Sequence, residues 1–132
     1  MSDTEIGYID YSTLNVDKNA TYDSLRDRVV LITGAGQAIG RGYAHYFSAQ
    51  GAIPVIADIN GENAEKVKQE IEEKQGKAMA IEVDVADEQS NIDMVDKILA
   101  QYGRLDVLIN NAAIFRRLPW RRSGSCRWTS GN

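Results

Sequence analysis

The stretch Val29-Val30-Leu31-Ile32-Thr33-Gly34-Ala35-Gly36-Gln37-Ala38-Ile39-Gly40 decides how this chain reads. Its first five residues form an apolar, largely β-branched run of the kind that makes a strand buried on both faces. Gly34 permits a sharp turn after that strand, and Gly40 lets helix and strand pack closely. A helix is then expected from about Ile39 to Gln50, closed by Gly51 in the left-handed conformation. Its first amides would face out of the turn, where the helix dipole favours a diphosphate. The spacing is T-G-x-x-x-A-x-G. It is not G-x-G-x-x-G, and no Gly-Lys-Ser/Thr follows to make a Walker phosphate loop. Many strand-to-helix corners use glycine, so the turn gains its meaning from what surrounds it.

Outward from the turn, the same unit repeats. Ile53 to Ala57 reads as a second strand, with Pro54 tolerable near its start. A helix follows from about Glu62 to Lys74, with Ala64, Val67 and Ile71 on its apolar face and Gly76 marking its end. Ala78 to Val83 reads as a third strand. The next helix, about Glu88 to Tyr102, has Asp87 as N-cap and ends at Gly103, with Ile92, Val95, Leu99 and Tyr102 predicted on its buried face. Asp106 to Asn110 reads as a fourth strand. Strand and helix alternate with a period of roughly 25 residues, long enough for each crossover to hold a helix and for the strands to pair in parallel with right-handed connections. The pattern predicts an α/β fold, a partial doubly wound (Rossmann) parallel sheet with strand order 3-2-1-4, incomplete on the strand 4 side. A ligand is then expected at the carboxyl ends of the strands, near the switch point between strands 1 and 4.

Asp58 ends the second strand, 18 positions past Gly40. A carboxylate there can accept hydrogen bonds from both hydroxyls of an adenosine ribose. A 2′-phosphate would instead meet like charge, and no lysine or arginine lies within the turn before Gly40 to attract one. The pattern therefore favours NAD over NADP. A plainer role also fits Asp58, which would open the turn Asp58-Ile59-Asn60-Gly61.

Composition bounds the rest. The chain has 132 residues, 43% hydrophobic and 26% charged, enough for one ordinary domain. One cysteine and one histidine exclude an internal disulfide and a structural His/Cys zinc site, and no metal ligand is assigned. No stretch is long and apolar enough to span a membrane, and Met1 to Glu5 lacks the basic and apolar regions of a secretory signal. A cytoplasmic protein is expected. Five of the 15 basic residues lie after Phe115 and none of the 19 acidic ones, so the first 115 residues carry −9 and the last 17 carry +5. Both tryptophans, Trp120 and Trp128, and Cys126 share that tail. The expected organisation is an N-terminal extension over 1–24, polar, acidic and mobile; an NAD-binding half-domain over 25–115; and an irregular basic tail over 116–132. The tail follows neither period 2 nor period 3.6 and reads as out-of-frame sequence. A basic arm stacking tryptophans on nucleic acid is the competing reading, but the acidic body offers it no supporting face, and no nucleic-acid partner is assigned.

Thr33-Gly34-x-x-x-Ala38-x-Gly40, Asp58, Asp84-Val85 after the third strand and Asn110-Asn111-Ala112-Ala113 after the fourth come in order, each behind the strand that should present it. Together, over about Leu25 to Phe115, they resemble the short-chain dehydrogenase/reductase family. Ala38 and Ala113 stand where that family usually has glycine. The resemblance implies that Gly34, Ala35, Gly36, Gln37, Ala38, Ile39 and Gly40 hold the coenzyme's pyrophosphate and that Asp58 holds the adenosine ribose. It further places Asp84 and Val85 at the adenine and Asn111 and Ala112 at the nicotinamide ribose, with Asn110 in a structural role. The family's reaction is reversible hydride transfer between a secondary alcohol and a ketone, and its members are usually homo-oligomers.

The family's proton-transfer groups are a serine after a fifth strand and a Tyr-x-x-x-Lys pair. Both partners of that pair are needed, because a free phenol with a pKa near about 10 is a poor base at neutral pH until a lysine one helical turn away stabilises the phenolate. None of the six tyrosines here has a lysine four positions on; Tyr22 has Arg26. Ser123, Ser125 and Ser130 fall in the tail, and His45 reads as a solvated helix residue. No catalytic residue is assigned. The chain is expected to be a truncated or frameshifted form, inactive by itself, with a small alcohol or ketone as substrate only in a full-length form. A non-catalytic NAD-binding sensor or regulatory module is the alternative.

Overall fold

A computed structural model of the chain describes residues 22–113. The extension before Tyr22 and the basic tail lie outside the described residues. A short 3-10 turn, Asp23–Leu25, leads into β1 (Val29–Thr33), α1 (Ala38–Ala49), β2 (Ile53–Asp58), α2 (Gly61–Glu73), β3 (Met79–Glu82), α3 (Glu88–Tyr102) and β4 (Val107–Ile109). All strands pair in parallel in the order β3-β2-β1-β4, the arrangement the alternation predicts.

β1 and β2 are buried along their whole length, which explains why they read as unbroken apolar runs rather than alternating ones. Successive side chains go to opposite faces. Val30, Ile32 and Ile56 join Ala44 of α1 and Ala64, Val67 and Ile71 of α2 in one core. Val29, Leu31, Val55 and Ala57 join Ile81, Val83 and Met94 and Ile98 of α3 in the other. Among the described residues, two helices therefore cover one face and one helix the other. Pro54 costs β2 little: Ile53 donates to the Arg28 carbonyl at 2.7 Å, so Pro54 faces away from β1, and β3 enters the register only at Val55.

Two local expectations need correction. α3 does not bury Ile92 and Leu99, which are 46% and 44% exposed; Met94 and Ile98 face the core instead. The helix carries two apolar stripes about a third of a turn apart, and Val95 and Tyr102, half-buried between them, fit either one. The sheet takes the stripe the periodicity left aside. α2 ends without a glycine turn: Lys74 is its C-cap and Gln75 takes the left-handed conformation at φ +67°. Gly76 is needed for room, since a Cβ there would lie 2.7 Å from the Ile71 side chain. The remaining caps follow expectation. Asp87 accepts from the Gln89 amide at 3.0 Å, and Gly51 and Gly103 both have positive φ.

β4 is fastened to the sheet at its base by one carboxylate. Asp106 accepts from the Val29 amide at 2.9 Å and from the Arg104 and Arg28 guanidiniums at 2.7 and 3.4 Å. The Arg104 hydrogen bond, then the Val29 amide, hold its pKa at about 2.

Candidate functional site

The carboxyl ends of β1, β2 and β4 and the loop after β3 converge on a cleft of about 320 Å³. Gly34, Gln37, Ala38 and Ile39 line it from the turn, Asp58 and Ile59 from the end of β2, Val83, Asp84 and Val85 from the loop after β3, and Asn111, Ala112 and Ala113 from beyond β4. A wider hollow of about 810 Å³ runs along the free edge of β3. It is shallow and carries Glu62, Glu65 and Glu82, whereas the smaller cleft sits at the switch point where a doubly wound sheet places its ligand.

The centre of the cleft is built around Asp58. Its carboxylate is nearly buried, 7% exposed, yet both oxygens have partners: Oδ2 accepts from the Gly36 amide and Oδ1 from the Asn60 amide, each at 2.9 Å. The Asn60 bond is the turn-opening role that the sequence also allowed. A Cβ on Gly36 would lie 2.8 Å from Asp58 Oδ2 and 2.8 Å from Asn63 Cβ, so only glycine brings this amide onto the carboxylate. Gly34 has φ +66°, and a Cβ there would lie 2.9 Å from Ala112 Cα. Gly40 packs against Ala35 and the Asn111 side chain in the same way. Ala35, Gly36 and Gly40 are buried behind the cleft rather than lining it.

The turn delivers the N-terminus of α1 to the same place. Gln37 is extended at φ −160° and gives no side-chain cap. The Arg41 amide bonds to the Gln37 carbonyl at 3.2 Å, so the amides of residues 38–40 precede the helical ladder and have no partner within it. Ala38 enters the helix at φ +50°, a left-handed conformation that costs a residue with a Cβ about 1–2 kcal/mol. The cation nearest on α1, Arg41, is turned away onto α2, where its guanidinium meets the Glu70 carboxylate at 2.9 Å twice. His45 Nε2 lies 2.7 Å from the same carboxylate. Burial works against the charge on Glu70, but the hydrogen bonds from Arg41 and His45 outweigh it and hold the carboxyl below its usual range.

On the β4 side the hub is Thr33, the first residue of the glycine-turn motif and one to which the motif itself assigns no role. Its Oγ1 accepts from the Asn111 and Ala112 amides at 3.1 and 3.0 Å and donates to the Ile109 carbonyl at 3.4 Å. The Asn111 side chain donates to the Gly34 carbonyl at 3.3 Å. The tie from the end of β4 to the glycine turn that is described runs through Thr33 and Asn111, while Asn110 is exposed. A polar, β-branched residue ending an apolar strand was the signal available for Thr33. On the β3 side, Asp84 Oδ1 accepts from the Ala86 amide at 3.0 Å and the Val85 carbonyl from Asn91 at 2.9 Å, which sets the Val85 side chain at the cleft. Ile59, Val83 and Ala113 also line it. Ile59, 70% exposed, sits next to Asp58, and no sequence reading assigned it to the site. Among the described residues no group of three His, Cys, Asp or Glu side chains converges as a metal site, and no described helix is long and apolar enough to cross a membrane.

The sequence matches the short chain dehydrogenase family over residues 28–129, a span that takes in most of the arginine-rich stretch. Meso-2,3-butanediol dehydrogenase of Serratia marcescens is 42% identical over 88 residues, which are 67% of this chain and 34% of that protein. A metagenomic short-chain oxidoreductase in complex with NADP superposes with a TM-score of 0.66 at 32% identity, over 69% of this chain and 41% of that one. NAD+-bound xylitol dehydrogenase superposes with a TM-score of 0.65 at 34% identity, over 67% and 34%. The chain thus spans about a third of the length of such relatives, and the family match over most of its residues shows that it belongs to the short-chain dehydrogenase family.

Proposed function

We propose that the cleft holds a nicotinamide dinucleotide, NAD in preference to NADP, and that this chain is the coenzyme-binding part of an oxidoreductase acting on a secondary alcohol or ketone. The buried Asp58 carboxylate carries the reading. It is fixed by two amides, leaves lone pairs for the two ribose hydroxyls, and would face a 2′-phosphate with like charge at a site where Arg41 is already engaged by Glu70. The cleft fits the rest of such a ligand. The uncapped amides at the start of α1 suit the pyrophosphate, Asp84 and Val85 with Ile59 suit the adenine, and Asn111 and Ala112 suit the nicotinamide ribose. Solved relatives with NAD and with NADP support the ligand class, and Asp58 is the basis for choosing between them.

When bound, the coenzyme supplies the hydride acceptor or donor. This chain's residues fix its position and the ribose orientation. Proton transfer needs a further group, and no tyrosine in the sequence has a lysine four residues on, so the chain by itself is expected to bind coenzyme without turning over an alcohol. The test is calorimetric titration of the full chain with NAD and with NADP. NAD is expected to bind at least about tenfold tighter, the loss of a hydrogen bond to a charged group being worth about 1.5–3 kcal/mol. Equal affinity for the two would remove Asp58 from its proposed role.

A further inference from the structure

Asn63 stands in the first turn of α2, at the position from which a side chain ordinarily reaches back to the amide of the N-cap residue. Here that amide is taken. The cap, Asn60, donates its N–H to Asp58 Oδ1 at 2.9 Å, and its side chain accepts from the Asn63 amide at 3.1 Å. The cap is therefore complete without the Asn63 carboxamide, which has no hydrogen-bond partner among the described residues. Yet this side chain is half-buried rather than free in solvent. A Cβ on Gly36 would lie 2.8 Å from Asn63 Cβ and 2.8 Å from Asp58 Oδ2. The two side chains flank one point, and Asn63 starts within a carboxamide's reach of the carboxylate.

We propose that Asn63 is a second specificity residue for the adenosine ribose, its carboxamide donating to the oxygen of the 2′-hydroxyl that Asp58 holds; this rests on the coenzyme reading of the cleft. The chemistry asks for such a donor. An ionised carboxylate only accepts, and the two backbone amides at its oxygens, those of Gly36 and Asn60, are spent on it. A hydroxyl that gives its proton to Asp58 keeps its own lone pairs open, and it stands within about 2.7 Å of the carboxylate. The nearest cation on α1 is no candidate, since Arg41 is held on Glu70 by two contacts of 2.9 Å. Asn63 stands on the α2 side of Asp58, outside the lining of the empty cleft, with both of its N–H groups uncommitted. It is placed to read the hydroxyl once the ribose is seated and to contribute nothing to a coenzyme that lacks it.

Calorimetric titration of the full 132-residue chain with NAD, and with NAD lacking only the adenosine 2′-hydroxyl, tests this. Asn63→Ala, which puts a good helix former in the first turn, is expected to weaken NAD about three- to tenfold, the worth of one hydrogen bond between neutral groups. The same variant is expected to leave the affinity for the 2′-deoxy coenzyme unchanged. Asn63→Asp, which keeps the shape but replaces the donors with a second carboxylate, is expected to weaken NAD at least as much. Equal losses towards both coenzymes would mean that Asn63 merely supports the turn at Gly36, and would overturn the proposal. So would NAD binding untouched by Asn63→Ala while Asp58→Ala weakens it, a result that leaves the role of Asp58 standing. NAD binding indifferent to Asp58→Ala as well would remove that role and this one together.

Discussion

β1 and β2 on one side and β4 on the other belong to one parallel sheet, yet they live in different environments. Every residue of β1 and β2 is buried. β4 has none buried, and its Leu108 is 52% exposed. The helices divide the same way: α2 buries Ala64, Val67 and Ile71, whereas α3 buries Met94 and Ile98 and leaves Ile92 and Leu99 half in solvent. Stability is therefore concentrated around β1 and β2, which also end at the glycine turn and Asp58. The cleft stands on the rigid side of the sheet and borrows only Asn111 to Ala113 from the other.

The contrast can be broken by truncation. Ile56→Ala removes a fully buried side chain from β2 and is expected to cost about 2–5 kcal/mol, measured by urea unfolding. Relief of backbone strain comes next. Ala38→Gly is expected to stabilise the chain by about 1 kcal/mol, because glycine adopts φ +50° without the Cβ penalty; an unchanged or lowered denaturation midpoint would show that the turn is relaxed as it stands. The fastening of β4 to β1 should titrate with acid. Asp106 has its pKa lowered from 3.8 to about 2, so its contribution is complete above the ordinary carboxylate pKa and is lost as pH falls through about 2. Exchange at the Val29 and β4 amides is expected to accelerate over that interval, and Asp106→Asn is expected to remove the pH dependence. The smallest effect belongs to Leu108→Thr, on an outermost strand among the described residues, expected to change stability by no more than about 0.5 kcal/mol. A cost at Leu108 equal to that at Ile56 would erase the distinction between the two regions.

The same contrast explains what the sequence made legible. Where a strand is buried on both faces, every position must be apolar, so β1 and β2 declare themselves and the glycine turn between β1 and α1 falls where the strand ends. Asp58 was conspicuous because it interrupts such a run. On α3, burial is one-sided, and the apolar residues outnumber those the sheet can cover; periodicity then offers two stripes, and only packing decides between them. Thr33 shows in the sequence only as a polar end to an apolar run, and the parts that it, Ile59 and Ala113 play at the cleft do not show there, for a different reason. Their roles depend on which backbone groups the folded strands bring to one point, as when the Thr33 hydroxyl meets the Asn111 and Ala112 amides, and such meetings leave no spacing to count. Asn110 and Asn111 show the same limit, since which of two adjacent amides turns towards Gly34 is set by the exit angle of β4.

On the proposed reading, the buried carboxylate at the end of β2, held by the Gly36 and Asn60 amides, fixes the coenzyme. Titration of NADH fluorescence into the full chain and into its Asp58→Ala variant tests it most directly, with hydrogen exchange of β1 and β2 confirming that the variant keeps its fold. A loss of affinity of roughly ten- to a hundredfold is predicted, the equivalent of about 1.5–3 kcal/mol for a hydrogen bond to a charged group. A folded variant that binds NADH as tightly as the parent chain would contradict the account.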